Sequence, residues 1–378
     1  MKINKVNVFH LSSKFASKNS FGTPLGLKTT TIIEITTDNK LKGIGEIYLG
    51  IYTPKLIDPI IKNIEKFIKN KNPIDLTLKG KKIHIPFVSR NGLYNSVYSG
   101  IDIALWDIVS KFKKKPLHAL ISNLKNDYKI YSSGGLAKSN LNEIREDIKK
   151  AKLLKHAGFK MRVGVQSWKK DFRRIKFAYD YSKKKQLNLM VDFIMGTIKI
   201  PNSRKQMIKK IKNLEKFKIK WIEEPFHPDD YFSFKELKKK SLKIPIASGE
   251  ALNSLFEYNS YISNNLVDII QLDVTHCGGI TEALKILSLL KNTNKKVALH
   301  VWGSTISLSA NAHLAYAVKN IKWLECPLHQ PAINKSIKTH VNFTKNLKFQ
   351  KLKCGLGVDL NTNIKKKYPY VEGSEYKI

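Results

Sequence analysis

From residue 128 onward, short apolar segments alternate with longer amphipathic ones, and nearly every short segment ends on a charged side chain. The period-2 runs predict strands at 130–133, 160–163, 187–192, 221–223, 244–247, 269–272, 297–300 and 323–325. Helical spacing fills the gaps, at 141–156, 169–183, 255–263, 281–291 and 306–318 among others. Strand then helix, repeated about eight times, is the pattern of a (β/α) barrel. The residues before it read differently. Alternating segments at 6–12, 29–37 and 43–47 come first, and helical patterns at 55–69 and 99–111 follow, as in a small α+β unit. The reading is α/β with three parts: 1–125 an α+β capping domain, 126–330 the barrel, and 331–378 a segment returning to the cap.

The strand ends carry the chemistry. Lys160 and Arg162 close the second strand, Asp192 the third and Glu223 the fourth, and Glu250 follows the fifth. Asp273 ends the sixth, His300 the seventh and Glu325 the eighth. Their successive separations, about 23 to 31 residues, match one strand–helix unit per step, so a barrel gathers all of them at its C-terminal mouth.

Asp192, Glu223 and Glu250 come from three adjacent strands. Carboxylates held together repel one another unless a cation compensates, and an all-oxygen set suits a hard divalent ion such as Mg2+. Glu224 is expected on the other side of its strand, in a structural role. Asp273 and His300 lie on neighbouring strands, where the carboxylate orients the imidazole and makes it a better base. His276, in the turn after Asp273, is set aside. Lys160 and Arg162 are two residues apart and share a face, a cationic clamp for a carboxylate. Glu325 is expected as a neutral acid that donates a hydrogen bond to a developing negative charge. These parts describe proton abstraction next to a carboxylate.

Composition excludes several alternatives. With 378 residues and 42% apolar content, the chain supports a large core. Cys277, Cys326 and Cys354 form neither a disulfide framework nor a metal spacing, and no secretory or membrane-spanning apolar stretch occurs, so the expected setting is cytoplasmic. The formal charge of +38 invites a nucleic-acid partner. Yet the basic runs at 113–115, 183–185, 238–240 and 365–367 are scattered, and no aromatic-basic signature accompanies them. Nucleic acid is therefore not the expected partner, and the charge favours anionic substrates.

Several runs carry a resemblance. Gly43-Ile44-Gly45-Glu46 and Gly100-Ile101-Asp102-Ile103-Ala104-Leu105-Trp106-Asp107 look like capping-domain signatures of the enolase superfamily, mandelate racemase subgroup. Gly158-Phe159-Lys160-Met161-Arg162-Val163-Gly164, Trp221-Ile222-Glu223-Glu224-Pro225, Ser248-Gly249-Glu250 and the run from Asp273 to Ile280 resemble its barrel motifs in order. Gly355-Leu356-Gly357 resembles its closing segment. The resemblance implies a modified TIM barrel under the cap, one Mg2+ and a homo-oligomer. It also implies substrate selection by cap loops, here 15–27 and 47–54, with Phe21, Tyr48 and Tyr52 as contacts.

Two departures refine the expectation. The subgroup's racemases carry Lys-x-Lys on the second strand, whereas Arg162 stands at the second of those positions, and arginine is a poor base. Asp192-Phe193-Ile194 replaces the more usual Asp-Ala-Asn. One base and a cationic clamp point to an Mg2+-dependent acid-sugar dehydratase. A 2-hydroxy-acid racemase or epimerase is the alternative, and a non-enzymatic polyanion binder the remote one.

Overall fold

The computed structural model describes residues 1–15, 21–23, 25–81, 83, 92–342 and 354–377. Three antiparallel strands open it: β1 (Ile3–Lys14), β2 (Leu27–Thr37) and β3 (Lys42–Ile47), paired in that order. Helices α1 (Ile57–Ile68), α2 (Pro73–Leu76) and α3 (Leu93–Phe112) pack on this sheet, and α4 (Leu117–Ile121) leads away from it. The Gly-x-Gly of β3 has a steric reason. A Cβ on Gly43 or Gly45 would collide with the backbone carbonyls of Ala104 or Gly100, so only glycine lets α3 lie this close to the strand.

Eight parallel strands then close into a barrel: β4 (Lys129–Gly134), β5 (Gly158–Arg162), β6 (Asn188–Asp192), β7 (Ile219–Glu223), β8 (Ile246–Ser248), β9 (Ile269–Leu272), β10 (Lys296–Leu299) and β11 (Ile321–Pro327). One principal helix separates each pair: α5 (Leu141–Leu153), α6 (Trp168–Lys184), α7 (Arg204–Leu214), α8 (Tyr231–Lys238), α9 (Leu255–Ser263), α10 (Gly279–Leu289) and α11 (Thr305–Ala317). After β11 the chain leaves the barrel for the hairpin of β12 (Ile337–Thr339) and β13 (Val358–Leu360) and the short α12 (Ile364–Lys367). All eight expected strands are present. The fifth starts two residues later than its apolar run, after Pro245, which has no N–H to give a ladder.

The barrel is a packed core. Tyr131, Met190, Trp221, Ala247, Ile269, Ala298 and Trp323 fill it, with Trp221 edge-on to Tyr131 at 5.2 Å and to Trp323 at 5.6 Å. A filled interior leaves the C-terminal mouth as the place for chemistry, and the cap closes over that mouth.

The capping signatures do the docking. The Glu46 carboxylate accepts hydrogen bonds from the Ser304 N–H and hydroxyl and from the Ser307 N–H, capping α11 across the interface. Asp102 accepts from the Thr281 N–H and hydroxyl at the start of α10, and Asp107 accepts from the N–H groups of Ile44 and Leu356. The Tyr48 N–H donates to the Thr275 carbonyl at 3.1 Å, tying a cap loop to the turn after β9. Residues beyond 354 return to the cap, where Pro369 bridges to Leu11 and the Ser374 hydroxyl meets that of Ser12. Among the described residues no helix is long and apolar enough to cross a membrane.

Candidate active site

Strand register brings the polar side chains level. Arg162 pairs with Asp192 and Asp192 with Glu223, while Tyr131 pairs with Glu325. Leu272 pairs with Leu299, so Asp273 and His300, each one residue further on, also stand side by side. Lys160, Arg162, Asp192, Glu223, Asp273, His300 and Glu325 thus gather at the mouth, with Glu250 on the turn that follows β8.

At the floor lies Lys160, fully buried. Its ammonium contacts Glu223, Glu325 at 3.1 Å and Asp192 at 3.6 Å. Burial alone would lower its pKa, but Glu223, Glu325 and Asp192 outweigh that and hold it charged. Glu223 also accepts from the Trp221 indole N–H at 3.0 Å. Arg162 sits nearer the cavity, its guanidinium 3.7 Å from Asp192 and stacked 3.9 Å over the Trp302 ring. Burial opposes its charge too, yet Asp192 and Glu325 raise its pKa, so it stays a cation.

His300 is held from both sides, with Nδ1 3.1 Å from Asp273 and Nε2 3.3 Å from Glu250. Burial lowers its pKa, but the Glu250 charge and the Asp273 hydrogen bond raise it to about 9. Asp273 is itself fixed by the Thr275 N–H and hydroxyl and by the Asn311 amide at 2.9 Å. Asn311, on α11, was not among the expected residues, and nothing in its local sequence marks it.

Glu325 differs from expectation. Burial pushes its pKa up, but Lys160 first, then His300 and Arg162, pull it down to about 2, so it is a carboxylate and not a neutral acid. The cations beside it decide the matter, and single-strand reading could not weigh them. Glu224 also corrects the sequence reading. The chain turns left-handed at this residue, φ +42°, past the end of β7. Its buried side chain lines a pocket with Glu250, Tyr48, Tyr52 and His276. Burial, then the charges of Glu250 and Asp192, drive its pKa well above the usual range.

The acidic set fits a hard cation in its chemistry. Asp192, Glu223 and Glu250 offer only oxygen. Burial and the neighbouring Glu223 push Asp192 up to about 8, and burial raises Glu250, so the negative charge here is incompletely balanced. Among the described residues no three such side chains already form a cage, because Glu223 is drawn to Lys160 and Glu250 to His300.

Above this floor the cavity is walled by Phe21, Tyr48, Tyr52, Arg162, Trp302 and Tyr376, with His300 and Glu250 below. All three loop aromatics expected from the sequence reach it. The Tyr48 and Tyr52 hydroxyls are 3.1 Å apart, and Tyr48 packs edge-on to His300. Residues 16–20 and 24 of the first cap loop lie outside the described residues. Trp302 and Tyr376 were missed: Trp302 is two residues beyond His300, a signal that was there to use, whereas Tyr376 had none. His276 bonds Ser96 and the Ala251 carbonyl with its two ring nitrogens.

The fold and site thus define a capped parallel barrel with a carboxylate cluster, a buried lysine and an Asp–His pair at its mouth. The chain belongs to the enolase superfamily: residues 143–364 match the family described as Enolase C-terminal domain-like. It is 29% identical over 243 residues to the arabinonate dehydratase of Saccharolobus solfataricus, a match covering 64% of this chain and 63% of that one. Among solved structures, the 3,6-anhydro-D-galactonate cycloisomerase of Zobellia galactanivorans superposes with TM-score 0.81 at 25% identity, covering 98% of this chain and all of that one. The L-talarate/galactarate dehydratase of Salmonella typhimurium LT2, with Mg and L-lyxarohydroxamate bound, gives TM-score 0.82 at 25% identity, covering 98% and 93%. Acid-sugar dehydratases thus recur among its relatives.

Proposed function

We propose that this protein is an Mg2+-dependent acid-sugar dehydratase. Asp192, Glu223 and Glu250 would hold the ion, which supplies electrophilic charge to the substrate carboxylate. Lys160 and Arg162 bind that carboxylate as cations. His300 removes the proton at carbon 2, with Asp273 and Asn311 fixing the ring and its tautomer. As it stands, Nε2 is paired with Glu250; a Glu250 engaged elsewhere leaves that nitrogen for the substrate. The hydroxide at carbon 3 leaves with the proton that His300 carries, so water is lost, and the enol tautomerises to a 2-keto-3-deoxy acid. The cap and barrel together make one catalytic unit, with 1–125, 126–330 and 331–378 as its parts.

One observation supports dehydration over epimerisation most directly. The second cation of the clamp is Arg162, buried beside Asp192 with its pKa raised, so this position offers a cation where a second base would be needed. The test is a panel of five- and six-carbon aldonates and aldarates with Mg2+, scored for 2-keto acid. Product from at least one acid, abolished by EDTA, is expected. A folded protein that forms none overturns the proposal, and deuterium exchange at carbon 2 from both epimers without elimination replaces it with the epimerase reading.

A further inference from the structure

The segment from Val371 to Lys377 is stitched across the cap. The Val371 N–H donates to the Ser12 hydroxyl, and the Ser374 hydroxyl lies 2.8 Å from that of Ser12 and 3.0 Å from that of Thr29. Further on, the Tyr376 N–H donates to the Ile51 carbonyl at 2.8 Å, and the Lys377 N–H to the Gly22 carbonyl at 2.9 Å. One short strap therefore holds both cap loops, the first at Gly22 and the second at Ile51. Between those two bonds, the Tyr376 ring turns into the cavity beside Arg162 and packs edge-on to Tyr52 at 5.5 Å. The first loop is shaped to admit it. Gly22 has φ +88°, and the Tyr376 ring occupies the place a Cβ would take.

The hydroxyl is what matters chemically. Among the described residues the Tyr376 hydroxyl has no hydrogen-bond partner, whereas Tyr48 and Tyr52 bond each other. Burial raises its pKa to about 12, so it is a neutral phenol with both a donor and an acceptor to offer. Arg162, Glu250 and His300 line this cavity from the barrel side, while Tyr376 lines it from the cap side. A polyhydroxy acid whose carboxylate lies over the floor directs its far hydroxyls at this wall.

We propose that Tyr376 is a substrate-binding residue, its phenol hydrogen-bonding a hydroxyl on the part of an acid sugar remote from the carboxylate, and that the strap at Val371–Lys377 is a third specificity element beside the two cap loops. This rests on the acid-sugar reading above. Specificity then depends on a segment far from both loops in sequence, and a change in the strap alters both loops together.

The test compares wild type, Tyr376→Phe and Gly22→Ala with Mg2+ present. Binding of a six-carbon aldarate and of glycerate, which has one hydroxyl beyond carbon 2, is followed by tryptophan fluorescence and calorimetry. Deleting one neutral hydrogen bond gives about a 3- to 10-fold loss. Tyr376→Phe is expected to weaken the aldarate by that factor and to leave glycerate within about twofold. Gly22→Ala, which pushes the ring aside, is expected to weaken the aldarate at least as much. Melting curves identify any variant that fails to fold, and Tyr376→Phe keeps the ring, so the packing survives in it. Equal losses for both acids, no loss for either, or no binding of either by wild type overturns the inference. Discrimination at Tyr376 without 2-keto acid formation sinks the dehydratase reading and leaves the strap standing. Turnover with no Tyr376 effect does the reverse.

Discussion

At the scale of single residues, the site is a set of charges whose states are chosen by neighbours. Lys160 illustrates this: a fully buried ammonium stays charged only because Glu223, Glu325 and Asp192 face it. Glu325 illustrates the converse, a buried carboxylate kept ionised by Lys160, His300 and Arg162. His300 is the group on which the chemistry turns. His300→Asn is expected to lower carbon-2 proton exchange by about 10²- to 10⁴-fold, read by NMR in deuterium oxide, while the melting curve shows a folded protein. Exchange at the wild-type rate would assign the base elsewhere. The positions of these residues were legible in the sequence because each closes a strand of one repeating unit. Their protonation states were not, because those depend on charges carried by other strands.

At the scale of elements, two contacts make measurable claims. β3 lies against α3 only because Gly45 has no side chain to strike the Gly100 carbonyl. Gly45→Ala is expected to cost about 2–4 kcal/mol in chemical denaturation, as overpacked and backbone-strained sites do. The second contact joins α4, α11 and the returning chain. The His313 ring accepts the His118 N–H on Nδ1 and faces the Leu356 carbonyl with Nε2, so its neutral form is the one that fits. Burial, with His118 beside it, lowers its pKa to about 3. A histidine depressed in the folded state takes up its proton mainly on unfolding. The stability it holds is therefore present above about pH 6.5 and lost as pH falls towards 3. Between pH 6.5 and 5 the loss is about 2 kcal/mol, measured as the difference in pH slope between wild type and His313→Gln. Identical slopes would mean that the ring is already free to protonate. Strand and helix positions were readable from periodicity. The contacts between elements were not, although Glu46, Asp102 and Asp107 stood in recognisable runs.

For the whole molecule, the formal +38 charge is a self-repulsion spread over the surface. Raising ionic strength from about 0.01 to 0.5 M shortens the Debye length from about 30 Å to under 10 Å, so the melting temperature is expected to rise with sodium chloride. Mg2+ at matched ionic strength is expected to add a further increase. At one hundred times its dissociation constant that gain is about 2.7 kcal/mol, and it is lost in Asp192→Asn. Equal melting temperatures with Na+ and Mg2+ would remove the divalent site.

The amino-acid order alone determined the barrel, the cap before it, and the ring of charged side chains at the mouth, because a repeating unit converts sequence spacing into spatial position. Only the tertiary structure decided that Glu325 is ionised, that Glu224 turns inward, that Asn311 steadies Asp273, and that Tyr376 reaches the cavity from the far end of the described chain. Each of these depends on contacts between segments distant in sequence. Periodicity carries no record of such contacts, since they are set by close packing and by electrostatics between groups that meet only once the chain has folded.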